Sequence, residues 1–147
     1  MRRRCRAREH EVFRVLALGV QVYRVESERD GKVVLRPLGP RADLFDYTGR
    51  KLGCHFMGAK GPVWMLGSFW VVGRELRKRS SPNADSIPEL QLATTESEGG
   101  GVLGTATLVE QIDTFGGIAP PVVPALHAGD TLESPYSAEY VFYAAPS

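Results

Sequence analysis

Glycine and proline interrupt this chain every few residues: 16 Gly and 10 Pro are spread over 147 positions. Helix interiors tolerate neither residue well, whereas strands joined by tight turns use both. Between the interruptions the pattern alternates. "GVQVYRV" (19–25) places Val20 and Val22 on one side and Gln21, Tyr23 and Val25 on the other, which is the period of a strand. Asp30-Gly31 then offers a hairpin turn. Tyr47-Thr48-Gly49-Arg50 offers a second, and "PVWMLGSFWVVG" a third about Gly67-Ser68. "IPELQLATT" (87–95) puts Leu90 and Leu92 on one face, and "VLGTATLVEQI" (102–112) is rich in β-branched residues. "YSAEYVFYAA" (136–145) carries Tyr136, Tyr140 and Phe142 on its even positions. "RELRKRSSPNADS" (74–86) reads as the clearest loop, headed by the basic cluster Arg74, Arg77, Lys78 and Arg79. No segment shows a helical stripe over three turns, and no 20–50-residue repeat is visible. The expectation is an all-β chain of eight or nine short strands: a single-domain antiparallel β-barrel or β-sandwich with little helix.

Composition supports one folded domain. Hydrophobic residues are 43% and charged residues 24% of the chain, near globular averages. We place a single β domain at 12–147, after a basic segment at 1–11 that is expected to be disordered. Six arginines fall within residues 1–14, which leaves the body net acidic although the whole chain carries +1. Such a body is a poor holder of phosphate backbone, so no nucleic-acid partner is expected. The basic cluster at 74–79 reads as a solvated strand end, because no stacking aromatics accompany it. No apolar run is long enough to span a bilayer as a helix. "HEVFRVLALGVQVY" is interrupted by Glu11 and Arg14 and is not followed by a small-residue cleavage site; as written, this places the chain in the cytoplasm. Cys5 and Cys54 are the two cysteines, and their count does not decide whether they pair. Composition is silent on oligomeric state.

"SEGGGVLGTATLVEQI" (97–112) contains a literal G-x-G-x-x-G at Gly99, Gly101 and Gly104. A dinucleotide fingerprint needs its first glycine directly after a buried parallel strand and its last at the start of a helix. Here Glu96, Ser97 and Glu98 precede the glycines, and two of these would repel phosphate. Thr105, Thr107, Val109 and Ile112 then favour a strand, and no β-α-β succession follows. The glycines are read as a hairpin connection. No cofactor is expected, and a nucleotide-dependent dehydrogenase is rejected.

At "GVQVY", "GRKLGCHFMGAKGPVW", "IDTFGGIAP" and "PYSAEYVFY", order and spacing resemble the domain-of-unknown-function 3455 family, from about Val12 to Tyr143. The resemblance implies a mostly bacterial and fungal group of usually secreted proteins with no established activity. It therefore implies a secreted or periplasmic location if translation starts upstream of Met1. The family's cysteine after the G-V-Q-x-Y tyrosine is Val25 here, and its cysteine after G-G-x-A-P falls among Pro121–Pro124, which hold none. If the family pairs these two, their joint loss leaves a consistent variant without that bridge, suited to a reducing compartment. The family's glutamate after G-P-x-W is Met65, and its tryptophan after I-P is Glu89.

His55, amid the glycines of "GCHFMGAKGPVW", is the foremost candidate: a general base, a metal ligand, or a hydrogen-bonded structural residue. No H-x-H or C-x-x-C spacing supports metal, and none is expected. Trp64 and Trp70 share a face if one strand runs through them, and lie on facing strands if the chain turns at Gly67. They are either core packing or the wall of a small-ligand pocket. Asp113 and Thr114 precede the Gly116-Gly117 turn; Asp113 is a candidate acid or a turn cap. Glu110 and Asp113 have odd spacing and make a poor carboxylate pair. With Tyr136 and Tyr140, these residues form the candidate site for a small, partly apolar ligand. The leading expectation is a non-enzymatic binding module. The alternatives are a cofactor-independent enzyme using His55 or Asp113 as acid/base, and a structural or interaction domain of the cell envelope.

Overall fold

The computed structural model of the chain describes residues 9–122 and 125–146, the side chain of Val102 apart. Eight strands follow one another: β1 (His10–Ser27), β2 (Val33–Phe45), β3 (Lys51–Gly58), β4 (Gly61–Leu66), β5 (Phe69–Arg79), β6 (Glu89–Glu98), β7 (Ala106–Gly116) and β8 (Thr131–Ala144). Each pairs antiparallel with the next, and β8 pairs with β1, so the sheet closes into a barrel. Closure leaves no edge strand exposed. A single 3-10 turn at Val102–Thr105 is the helical content of the described residues.

The expected alternation sets which side chains fill the barrel. β1 turns Val15, Ala17, Tyr23 and Val25 inward, β2 turns Ala42 and Leu44, and β8 turns Tyr136, Ala138, Tyr140 and Phe142. Fully burying each large apolar side chain of this kind stabilises by roughly 1.5–3 kcal/mol. Small residues make room for the large ones along β8: Ala138 lies between Tyr136 and Tyr140, and Ala144 follows Phe142.

The strands are longer than the short ones expected, because several glycines and prolines lie inside strands rather than between them. β2 contains Pro37, Gly39 and Pro40. There Tyr23 pairs with Pro37 and Val22 with Gly39, leaving Leu38 as an extra, bulged residue. Gly39 has φ 114°, a conformation that disfavours side chains with a Cβ. Bulges of this kind bend strands enough for a sheet to close.

A second difference is at 74–79. Those residues are strand, not loop: β5 pairs with β6 as far as Arg79↔Glu89. A bulge between Glu75 and Arg77 inserts Leu76 and breaks the alternation that would have revealed the strand. The connections at 30–31, 47–50 and 67–68 are turns as expected. The glycines at 99–101 join β6 to β7, without the strand-to-helix geometry a dinucleotide needs. Of the basic segment at 1–11, residues 1–8, including Cys5, lie outside the described residues, as do Val123 and Pro124, whereas His10 and Glu11, expected to be disordered, open β1 and pair with Ala144 and Tyr143. Cys54 is half-buried on β3.

Candidate functional site

In an up-and-down barrel, alternate connections lie at opposite ends. The β1–β2, β3–β4, β5–β6 and β7–β8 connections share one end, and a cavity of about 420 Å³ lies there. The β6–β7 glycines are at the other. His55, Trp64, Tyr140, Gln111, Leu90 and Leu92 form its inner walls. Pro37, Pro62, Met57, Glu75 and Lys78 line it nearer the connections. Its size falls within the range of small-ligand sites.

His55 on β3 is 2% exposed. Its Nδ1 lies 2.8 Å from the Val63 carbonyl oxygen. A carbonyl only accepts, so Nδ1 carries the proton and donates. Burial lowers the His55 pKa to about 4, opposed by that hydrogen bond. The ring is therefore neutral at pH 7, and Nε2 presents a lone pair. Nε2 has no hydrogen-bond partner among the described residues.

Trp64 faces His55 from β4, where the two residues are directly paired. Their rings stack with centroids 4.6 Å apart and planes 14° from parallel. Trp64 meets Tyr140 and Phe142 edge-on, at 5.5 and 5.8 Å. Its six-membered ring rests on Gly73, where an added Cβ would stand 2.9 Å from Cζ3. Trp64 Nε1 is buried and has no hydrogen-bond partner.

Three further polar side chains, Tyr136, Tyr140 and Gln111, are linked to one another. Tyr140 donates its hydroxyl proton to Gln111 Oε1 at 2.7 Å. Tyr136 and Tyr140 hydroxyls lie 3.1 Å apart, and since the Tyr140 proton is already given, Tyr136 donates to Tyr140. Gln111 Nε2 donates to the Pro88 carbonyl at 2.9 Å. Burial pushes the Tyr136 hydroxyl up to about 12 and that of Tyr140 well above the ordinary phenol value. Both are neutral donors at pH 7.

The structure thus brings His55, Trp64 and Tyr140 together on the cavity, joins Tyr136 to them only through the Tyr140 hydroxyl, and separates the other candidates from them. The chain does turn at Gly67, and Trp70 stands opposite Met65 on β5, next to inward-facing Val71; it does not line the cavity. Thr114 is fully buried and donates to the Ile87 carbonyl at 2.6 Å, fastening the β5–β6 loop to β7. Asp113 is exposed, with φ 51°. Its amide donates to Glu89 at 2.7 Å, and its carboxylate accepts from Asn83 at 3.3 Å. It borders a separate surface groove with Phe115, Leu18 and Tyr47. His55 and Asp113 therefore do not share a cavity. Among the described residues, no three His, Cys, Asp or Glu are grouped to hold a metal ion.

Two residues that sequence reasoning missed matter here. Gln111 shares the inward face of β7 with Val109, and a polar residue on that face was the available signal. Lys78 faces the cavity because of the Leu76 bulge: Glu75 pairs with Leu92 and Lys78 with Leu90, so both charges follow those inward leucines. Met65 and Glu89, where the chain departs from the family pattern, line no part of the cavity. Glu89 is buried and held by Arg79 at 2.8 Å.

No helix among the described residues is long and apolar enough to cross a membrane. No curated protein and no solved structure matches the chain. One family model does, over residues 6–144. With nearly the whole chain matched, this β-barrel belongs to the family described as protein of unknown function (DUF3455).

Proposed function

We propose that the barrel binds a small, partly apolar, uncharged molecule in the cavity beside His55, and does so without catalysing a reaction. The observation that carries this reading is a cavity of about 420 Å³ whose inner walls offer a neutral, unpartnered His55 Nε2 among aromatic and aliphatic side chains. Its apolar walls favour burial of ligand surface, and its few polar atoms fix orientation. The acid/base alternative has less support. A histidine lowered to about 4 is a weak base at pH 7, and no carboxylate accepts a bond from its ring. A purely structural domain would have no use for an unfilled space at the end of its core.

The test is thermal unfolding against a broad panel of metabolites, with wild type and His55→Ala measured side by side. A ligand at about one hundred times its dissociation constant adds roughly 2.7 kcal/mol. The reading expects at least one compound to raise the wild-type midpoint and leave that of His55→Ala unmoved. If no compound moves the wild type, while His55→Ala alone lowers the midpoint, His55 is structural and the proposal fails.

A further inference from the structure

We infer that a second site, on the outside of the barrel, takes a small organic cation: a flat apolar body between Leu18 and Phe115, with its ammonium group at Asp113 and Glu139. The site is separate from the His55 cavity and does not depend on it.

The groove that Asp113 borders has a volume of about 580 Å³, within the range of small-ligand sites. The ladders explain its shape. Leu18 on β1 and Phe115 on β7 both pair with Ser137 on β8. A small side chain therefore lies between two large ones, whose backbones stand roughly 10 Å apart, two strand spacings. That leaves room for one ring with a face towards each. Leu18 is 55% exposed, Phe115 50%, and Tyr47, on the β2–β3 turn, 53%. They are three of the eight exposed large hydrophobic side chains among the described residues, and all three line this groove. Scattered singly they would need no explanation; gathered in one concave place they mark a binding surface.

Charge selects the occupant. The charged residues lining the groove are Asp46, Asp113 and Glu139, with no Lys, Arg or His. Asp113 lies in the β7 bulge directly after Ile112, and Ile112 pairs with Glu139. The two carboxylates therefore come from neighbouring strands, beside the Ser137 floor. Asp113 is exposed, accepts from the neutral Asn83 amide at 3.3 Å, and is in no ion pair among the described residues. Glu139 shares the single guanidinium of Arg14 with Glu11, so that trio keeps one negative charge. The Tyr47 hydroxyl lies beside Glu139, which adds an aromatic ring near the carboxylates and a further attraction for a cation. Of the other nearby bases, Lys51 is paired with Asp43 at 3.1 Å, and Arg50 does not line the groove.

Three probes share one indolyl-ethyl body and differ in the end group: tryptamine, tryptophol and indole-3-propionate, which at pH 7 are a cation, an alcohol and an anion. Binding is followed by the backbone amide signals of the protein in NMR titrations. At low salt, tryptamine should move the Leu18, Ser137 and Phe115 signals and bind about fivefold more tightly than tryptophol, with indole-3-propionate weakest. The preference should shrink at high salt. Asp113→Asn keeps a residue type that tolerates the φ of 51° found there. It should bring tryptamine close to tryptophol and leave tryptophol binding unchanged. Equal binding of tryptamine and tryptophol to the wild type overturns the inference, as does a preference that Asp113→Asn leaves intact. Absence of shifts at the groove with all three probes overturns it too. Shifts confined to His55 and Leu90 also overturn it, and put the probe in the cavity instead.

Discussion

At the scale of single residues, His55 links the cavity to stability. Its pKa is about 6.5 when unfolded and lowered to about 4 in the barrel by burial. The folded state therefore takes up a proton less readily than the unfolded chain. Stability from this group is fully present above pH 6.5, declines as pH falls, and levels off below about 4. The slope is about 1.4 kcal/mol per pH unit, or about 3 kcal/mol in all. Urea denaturation from pH 7.5 to 4 in wild type and His55→Asn checks this: the difference between the two curves should show that slope, since His10 and His127 remain in both. Much at this scale was legible beforehand. Trp64, Tyr136 and Tyr140 were named because a period of two puts them on faces with other apolar residues. Gln111 escaped notice because a glutamine in a strand reads as solvent-facing, and only the partner hydroxyl of Tyr140, 29 residues away, makes it an interior residue. Trp70 was misplaced for a local reason. The turn at Gly67-Ser68 pairs Leu66 with Phe69 and Trp64 with Val71, so the inward face passes from even to odd positions and Trp70 points away from it.

At the scale of elements, turns were readable and bulges were not. Turn chemistry is local: Asp46 accepts from the amides of Thr48 and Arg50 at 2.9 and 3.0 Å, and Gly49 completes that loop. A bulge depends on the partner strand, which the local pattern does not contain. Hence 74–79 looked like loop, and the shift between Ile112 and Phe115 hid the separation of Asp113 from Thr114. The β6–β7 connection allows a sharp check. Gly101 has φ 83°, whereas Gly100 is not in the positive-φ region, and an added Cβ meets nothing within 4 Å at either. Gly100→Ala should be neutral or stabilise by about 0.4–1 kcal/mol through the unfolded chain. Gly101→Ala should destabilise by about 1–3 kcal/mol, because φ 83° with ψ −169° is a conformation open essentially only to glycine. Chemical denaturation of the two variants decides it; equal effects would mean that the turn does not hold the described conformation.

For the whole molecule, the choice between barrel and sandwich was beyond local pattern. Both architectures use the same alternation, and they differ in whether the first and last strands meet. Here they meet along a ladder from His10↔Ala144 to Arg24↔Thr131. β8 also buries Tyr136, Tyr140 and Phe142 in the core, so it supplies the closure, much of the aromatic interior and, through Tyr140, part of the cavity wall. Removing it opens two edges and empties the core at once. A chain ended at Asp130 should therefore show no cooperative thermal transition and no near-ultraviolet aromatic signal, although it keeps seven strands. A sharp transition in that variant would show that the open sheet is stable by itself.

The ladder between β1 and β8 also has a consequence for the newborn chain. Ribosomes deliver residues in order, at about 5–20 per second, so β1 waits on the order of ten seconds for the strand that covers its second side. Throughout that interval one flank of β1 carries unpaired amides and carbonyls, and the side chains it later turns inward face water. The native barrel has no edge, but its own synthesis passes through a long-lived one. Shielding of that flank by a chaperone, rather than the stability of the finished barrel, would then limit how much protein a cell obtains.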